Sequence, residues 1–458
     1  MSETIAQAAV LPHLSTPDLS NQAVPRYTSY PTAPNFSASV GCDDHGNWLA
    51  GISPNDSISL YLHVPFCVEL CNYCGCNTVA THRREPVESY AAHLIDEIAL
   101  VSKRAGGKGV RRIHWGGGTP SILGAKSLER VFRSISSYFD LSSLDEHAIE
   151  LDPRRLDNDV LSSIAAIGIS RANLGVQDLS PRVQQAIGRV QPYEVVERAV
   201  KRLRAAGIAN IGIDLMYGLP EQSVEDVQLS ALLCSRLKPR RVAMFGYAHV
   251  PWFKRRQTLI DERTLPDATL RLSQAMAARN AWLDLGYRAV GIDHFALPGD
   301  ALAKAAAAGR LRRNFQGYTD DESSVILGFG TSAISRFRNG YTQNHPATAA
   351  YKTAIDAENF ATARGALLEP DDCLRAEIIE RLMCDFCVDI DRIVQRRQTP
   401  AIFSAELAKI DQLSNRGLVR RHGRKISVTE SGKPFVRIVA SVFDKYLAAG
   451  VSRHSRAV

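Results

Sequence analysis

The sequence predicts an α/β protein, a curved and barrel-like parallel sheet covered by helices, followed by a smaller and mostly helical domain. Three observations lead there. Short β-type runs alternate with longer helical patterns between positions 57 and 285, and such alternation calls for a parallel sheet wrapped by helices. The 458 residues exceed one ordinary domain, so a main unit of about 300 residues with an attachment is expected. After Pro370 the pattern turns mostly helical.

The first strand is read over 57–64. Its Ile58, Leu60, Tyr61, Leu62 and Val64 are β-formers, and Pro65 stops the run. Further strands fall near 111–115, 147–151, 170–176, 209–216 and 240–247, with helices near 87–103, 124–138, 158–166, 193–206, 223–236 and 267–285. Six such units in succession favour a barrel-like sheet with its chemistry at the strand carboxyl ends; a doubly wound open sheet is the alternative. Tyr287 to Val290 reads as an edge strand, and the Gly-rich, aromatic stretch from Arg312 to Ser335 reads as loops around a pocket. The runs Gly417-Leu418-Val419 and Lys425 to Thr429, joined by the basic turn Arg420 to Arg424, form a β-hairpin between helices in the manner of a winged helix. That fold binds DNA in some proteins and is a passive cover in others, so it settles no function. Three units result: 1–50 as an N-terminal extension over the active site, 51–365 as the catalytic domain and 366–458 as the C-terminal helical domain.

Composition narrows the class. Apolar residues make up 45% and charged residues 22%, which excludes disordered and low-complexity chains. No apolar run approaches the roughly 18 residues of a membrane span, and the first 25 residues, with Glu3 and Asp18, lack the basic start and apolar core of a leader. A cytoplasmic location with no membrane partner is expected. Nine cysteines are too sparse for a disulfide scaffold. The net charge of +7 suits an acidic small molecule; no basic track interleaved with aromatics marks a nucleic-acid surface, so none is expected as partner.

Cys67, Cys71 and Cys74 carry the chemistry. The spacing C-x3-C-x2-C sets three thiolates on one loop just past the first strand, enough to hold three irons of a cubane cluster and leave the fourth without a protein ligand. An iron with an open site can bind a substrate. Structural zinc wants four ligands, and Cys76, two positions on, is by spacing either a fourth ligand or a neighbour lining the cavity. Cys373, Cys384 and Cys387 fall in a helical region and read as core thiols, Cys384 and Cys387 being i,i+3 neighbours.

Other candidates sit at the ends of the later strands. Gly116, Gly117 and Gly118, before Thr119, let backbone approach a ligand where any Cβ would clash, and the turn lacks the lysine of a phosphate-binding loop. Its backbone groups suit an amino-acid ammonium. Glu150 and Asp152 share one face by the period of two, and Gln177, Asp178 and Asp214 occupy matching places on the next strands. Each alone reads equally as a surface or capping carboxylate; together they ring one mouth. Asp214, set among Ile211, Ile213 and Leu215, needs a partner if buried. Arg189 is placed to counter a ligand carboxylate, or is simply solvated. Tyr61 and His63 share a strand face, with Tyr61 either packing on the site or filling core. Asp293-His294-Phe295 and Asn314-Phe315-Gln316-Gly317-Tyr318 suit a flat, polar-edged substrate, and the segment Pro25-Arg26-Tyr27-Thr28-Ser29-Tyr30-Pro31-Thr32 is either a surface strap or a cover for an anionic one.

With these residues in view, the chain resembles the radical S-adenosylmethionine enzymes and, within them, is similar to the oxygen-independent coproporphyrinogen III oxidases. The cysteine motif with Tyr73 carries the first likeness; Gly75-Cys76-Asn77, the early tyrosine segment and Asn314 to Tyr318 carry the second. The resemblance implies a partial (β/α)6 barrel, Cys67, Cys71 and Cys74 as ligands of a [4Fe-4S] cluster, and S-adenosylmethionine on the open iron. It further implies Cys76 as a necessary non-ligand, with Tyr61, Tyr73, Gly117, Glu150, Arg189 and Asp214 around the cofactor. Gly118, Thr119, Gln177, Ala248 and Ile334 match the pocket and its extension toward a second S-adenosylmethionine. The implied reaction is decarboxylation of the ring A and B propionates of coproporphyrinogen III to protoporphyrinogen IX through a 5′-deoxyadenosyl radical. It is implied for a monomer served by an electron donor such as flavodoxin or ferredoxin. Related haem-handling proteins usually carry Phe at the place of Cys76, and a haem chaperone or another tetrapyrrole-handling member is the alternative reading.

Overall fold

The computed structural model describes residues 19–447; the rest of the N-terminal extension (1–18) and of the C-terminal domain (448–458) lies outside them. Strands β1 (Ile58–Val64), β2 (Val110–Gly117), β3 (Glu146–Leu151), β4 (Arg171–Gln177), β5 (Asn210–Tyr217) and β6 (Arg241–Gly246) lie side by side in chain order, all parallel. Helices α1 (Arg84–Ala105), α2 (Gly124–Tyr138), α3 (Asn158–Ala166), α4 (Tyr193–Ala205) and α5 (Val224–Arg236) join them, and α6 (Ala268–Asp284) follows β6. Strand order equal to chain order decides between the two predicted architectures. Right-handed crossovers that always step the same way put every helix on one face, whereas a doubly wound sheet reverses direction at a switch point.

The sheet is longer than the six predicted units. Strand β6 is followed by the antiparallel β7 (Arg288–Val290) and β8 (His294–Ala296), with β7 at the edge as expected. The stretch from Arg312 to Ser335 corrects the sequence reading. It holds β9 (Val325–Phe329), which pairs parallel to β1 with Tyr61 opposite Gly328, and the short ladder Arg312–Asn314 with Gly317–Thr319. Every residue of β9 is buried, the signature of a parallel strand covered on both faces, but the surrounding glycines mask so short a run. Antiparallel β10 (Ile334–Phe337), β11 (Gly340–Asn344) and β12 (Thr362–Leu367) then extend that side. The sheet keeps two edges, β12 and β7. The barrel is therefore partial.

Period-two alternation assigns the two faces. Leu60, Leu62, Ile113, Trp115, Ile149, Leu174, Ile211, Ile213 and Val242 are buried beneath the helices. The intervening Tyr61, His63, His114, Glu150, Asn173 and Asp214 line the hollow of the barrel. Helix α2 shows the helical counterpart: Leu128, Val131 and Ile135 turn inward, each contributing about 1.5–3 kcal/mol by its burial. Side-chain caps from Asp157, Ser223 and Asp267 start α3, α5 and α6.

A second core lies in the helical C-terminal region, formed by α7 (Pro370–Asp385), α8 (Ile390–Arg397), α9 (Ser404–Asn415) and α10 (Val436–Ser441). Its small antiparallel sheet has strands β13 (Cys387–Asp389), β14 (Val419–His422) and β15 (Lys425–Val428), with β15 in the middle. The predicted hairpin is β14–β15. Cys384 and Cys387 do not share a helix face, because Phe386 at φ 55° ends α7 between them. Leu19, Val24, Tyr27 and Tyr30 belong to this second core rather than to the barrel.

Candidate active site

The cysteine loop grows from the end of β1 and is closed at its base. Phe66–Cys67 pairs with Val79–Ala80, Val79 N–H donates to the Pro65 carbonyl at 2.9 Å, and Thr81 N–H donates to that of Cys67 at 2.9 Å. The glycine turn after β2 packs directly on it. Gly118 N–H donates to Val64 O at 2.8 Å and Thr119 N–H to Phe66 O at 2.8 Å. A Cβ on Gly118 would lie 2.4 Å from Phe66 O and 2.5 Å from the Thr78 hydroxyl. The glycine is thus demanded by the cysteine loop itself. Since Gly117 N–H also donates, to Glu150 Oε2 at 3.2 Å, three successive amides are occupied. The turn is no anion nest, and carbonyl oxygens are the backbone groups it has to offer an ammonium.

Polar contacts differentiate the four thiols. Hydroxyls of Thr119 and Thr78 each lie 3.4 Å from Cys67 Sγ; burial pushes this thiol up and the two hydroxyls moderate the rise. Arg189 Nη1 donates to Cys71 Sγ at 3.5 Å. A hydrogen bond from Cys76 pulls Cys74 down to about 6, and the same bond holds Cys76 well above the usual thiol range. Two residues absent from the sequence-derived set brace the loop from beyond β6. Gln257 Nε2 donates to Tyr73 O at 2.8 Å and Lys254 Nζ to Cys76 O at 3.1 Å. Gln257 lies in the short 3-10 helix Arg255–Leu259 and Lys254 at its start, too brief an element for a sequence period to mark. Asn173 was also missed, although its inward register on β4 was readable from alternation.

The strand-end residues divide into a paired and an unpaired group. Asp152 is engaged by Arg154 Nη2 at 2.7 Å and Arg189 Nη2 at 3.4 Å. Burial works against its charge, but the two guanidinium groups outweigh burial and keep the carboxyl below its ordinary value. Arg189 also donates to Gly175 O at 2.7 Å, which fixes it at the wall. Glu150 accepts from Gly117 N–H and lies 3.0 Å from His114 Nε2. His63 Nε2 donates to Asn77 O at 2.9 Å, so its Nδ1 accepts from Tyr61 OH at 3.1 Å. Asp214 has no ion pair among the described residues; burial, reinforced by Glu150, pushes it up to about 7.

These groups face two adjoining cavities. One, of about 770 Å³, is lined by Cys67, Cys71, Tyr73, Cys74, Gly118, Thr119, Gln177, Arg189 and Ala248. The other, of about 650 Å³, runs into the barrel past Tyr61, His63, His114 and Ile334. Cys76, Gly117, Glu150, Asp214 and Phe315 line both. Cys67, Cys71, Cys74, Cys76, Tyr61, Tyr73, Glu150, Asp152, Gln177, Arg189 and Asp214 line these cavities, whereas Asp178 does not: it is buried and accepts from Gln222 Nε2 at 2.7 Å and Ser180 N–H at 2.6 Å.

The radical SAM superfamily model matches residues 61–234, the segment from β1 through α5. Over 437 residues the chain is 43% identical to the oxygen-independent coproporphyrinogen III oxidase of Paracoccus denitrificans, covering 95% of this chain and 96% of the relative. The corresponding Bradyrhizobium diazoefficiens protein is also 43% identical, with 95% and 98% covered. Coproporphyrinogen III oxidase from Escherichia coli, described as a radical SAM enzyme, superposes with a TM-score of 0.87 at 34% identity, over 93% of this chain and all of that one. The chain belongs to the oxygen-independent coproporphyrinogen III oxidases.

Membership in this oxidase family carries with it the general use of an iron–sulfur cluster and S-adenosylmethionine. The oxidase loop suits such a group: free thiols at 67, 71 and 74 open on one cavity, and Cys76, the exposed fourth, is hydrogen-bonded to Cys74. Among the described residues no three His, Cys, Asp or Glu side chains gather closely enough for a single metal ion. The fit rests on the loop's spacing and its shared cavity.

Proposed function

We propose that this chain converts coproporphyrinogen III to protoporphyrinogen IX without oxygen, by oxidative decarboxylation of the propionates on rings A and B. The observation that carries this reading is likeness over nearly the full chain to oxidases of that name, joined to a three-thiol loop on the wall of a large cavity. Cys67, Cys71 and Cys74 would hold three irons of a [4Fe-4S] cluster, leaving the fourth to S-adenosylmethionine. When bound and reduced, that pair supplies a 5′-deoxyadenosyl radical able to take a hydrogen from a propionate β-carbon. With that hydrogen gone, loss of carbon dioxide and transfer of one electron to an external one-electron acceptor would leave the vinyl group.

The chain's own residues bind, orient and seal. Glu150, fixed by Gly117 N–H and His114, and Asp214, unpaired among the described residues, are the acceptors for the cofactor's ammonium and hydroxyl groups. Arg189 stands at the cluster side of the wall with Tyr73 in the same cavity, and Tyr61, stacked on His114, lines the cavity that runs into the barrel. Gly118, Thr119, Gln177, Ala248 and Ile334 border the space for a second S-adenosylmethionine. Cys76, which borders both cavities beside the three ligands, acts as a necessary non-ligand. We read the domains as 1–50, 51–365 and 366–458, with the winged-helix-like hairpin in a covering role, in a cytoplasmic monomer reduced by a flavodoxin- or ferredoxin-like donor. No helix among the described residues is long and apolar enough to cross a membrane. The test is anaerobic incubation of reconstituted protein with reductant, S-adenosylmethionine and coproporphyrinogen III. Masses lower by one and two formic acid equivalents are expected; absence of both, with firm binding of intact haem, would move the chain to the haem-handling proteins.

A further inference from the structure

The segment 25–32 is held by the C-terminal region and also borders the catalytic mouth, where Arg26 is its one charged side chain. Val24, Tyr27 and Tyr30 are buried in the C-terminal core. Tyr27 OH donates to Asp444 at 3.0 Å, Lys445 N–H donates to Tyr30 OH at 3.1 Å, and Arg437 donates to the carbonyls of Val24 and Pro25. Arg313 fixes the next carbonyl, that of Arg26, at 3.3 Å. Arg26 itself points the other way and lines the 770 Å³ cavity with the cysteine loop. Tyr27 at φ 48° is left-handed, a costly conformation for a bulky residue that turns neighbouring side chains to opposite sides.

Arg26 is short of partners there. Its one hydrogen bond among the described residues runs from Nη2 to Gly246 O, 2.7 Å away at the end of β6. No ion pair forms with it among the described residues, and Asp293, the acid whose charge it feels, is engaged by His294 at 2.7 Å. Arg313 and Arg437 bring further positive charge close by. The Arg313 Nη1 is buried without a partner. Burial lowers Arg26 from its ordinary value, with Asp293 only partly offsetting the cost. A guanidinium so placed is matched by a carboxylate from outside the protein, since its planar fork binds one through two parallel hydrogen bonds.

We infer that Arg26 is a carboxylate-recognition site for the substrate, anchoring a propionate that does not react while another is presented to the radical. This rests on the proposed tetracarboxylate substrate and adds the group that recognises it. The arrangement also gives the C-terminal region a role: it holds the segment that carries Arg26, so substrate recognition joins the two cores.

Three proteins, wild type, Arg26→Gln and Arg26→Lys, would be titrated by fluorescence with coproporphyrin III and with its tetramethyl ester from one micellar stock. Arg26→Gln is expected to weaken the acid about tenfold or more and leave the ester unchanged, with Arg26→Lys recovering part of the loss. In turnover, KM for coproporphyrinogen III should rise by a similar factor while kcat changes less. Equal affinity of Arg26→Gln and wild type for the acid would overturn the inference, as would equal weakening for acid and ester, the mark of a structural role. If wild type gives no decarboxylated product yet Arg26→Gln still loses affinity for the acid alone, the carboxylate site stands and the proposed activity fails.

Discussion

The two ends of the barrel are both rich in charge, yet they treat it in opposite ways. At the amino ends of the strands Glu146, Asp300 and Asp320 interlock with Arg112, Arg171 and Arg241. Arg171 reaches Glu146 at 2.7 Å, Arg241 reaches Asp300 at 2.7 Å, and Arg112 reaches Asp320 at 2.6 Å. Burial alone would raise these acids, but the arginines outweigh it and all three are held below their ordinary value. At the carboxyl ends Asp214 is raised to about 7 by burial and by Glu150, and Arg26 has no ion pair among the described residues. One end has its counterions within the chain; at the other, Asp152 is paired with Arg154 and Arg189, but Asp214 and Arg26 have no ion pair among the described residues.

The largest effect that would break this comparison comes from the thiols. Cys67→Ser, Cys71→Ser and Cys74→Ser are each expected to abolish turnover and lower bound iron while leaving the unfolding midpoint of the apo chain unchanged; iron assay and denaturant melts check this. Retained iron with full activity would exclude that thiol as a ligand. At the base, Glu146→Gln removes the carboxylate shared by Arg171 and Arg112, and losing one partner of a buried network costs about 3–5 kcal/mol. Its unfolding free energy should fall by that order, with activity per folded molecule preserved.

A smaller loss is expected of Gly118→Ala, which drives a methyl into Phe66 O and Thr78 and shifts the cysteine loop against the strand ends. Misplacement on this scale costs about a hundredfold in turnover, to be read as kcat per folded molecule, with thermal stability lowered as well because the clash is with backbone. The smallest effect is the most diagnostic of the contrast. An acid whose folded pKa lies above its unfolded value binds more protons when folded, so its contribution to stability falls as pH rises. For Asp214 that window runs from its ordinary 3.8 to about 7; the base acids, held low, lose their contribution only as pH falls. Asp214→Asn should therefore match wild type near pH 4 and be the more stable above pH 7, measured by urea melts of the apo chain. A difference independent of pH would refute the assignment.

Much of this was legible in the sequence because it followed simple periods. The six strands and their helices obey alternation and the 3.6-residue repeat, and Glu150 and Asp214 stand out as charges within apolar runs. The parallel strand β9 was hidden because Val325–Phe329 is only five residues long and contains Gly328. Lys254 and Gln257 were hidden for another reason: they act from a five-residue 3-10 helix and its start, too short to show a period, on backbone carbonyls of the cysteine loop. The pairing of Asp152 with Arg154 and Arg189, against the isolation of Asp214, depends on distances between strands that no linear pattern records.

The most direct test of the account uses coproporphyrinogen III deuterated at the β-carbons of its propionates. Under anaerobic turnover, 5′-deoxyadenosine should gain one deuterium for each vinyl group formed, both read by mass. Vinyl product without deuterium in 5′-deoxyadenosine, or labelled cofactor product without decarboxylation, would contradict it.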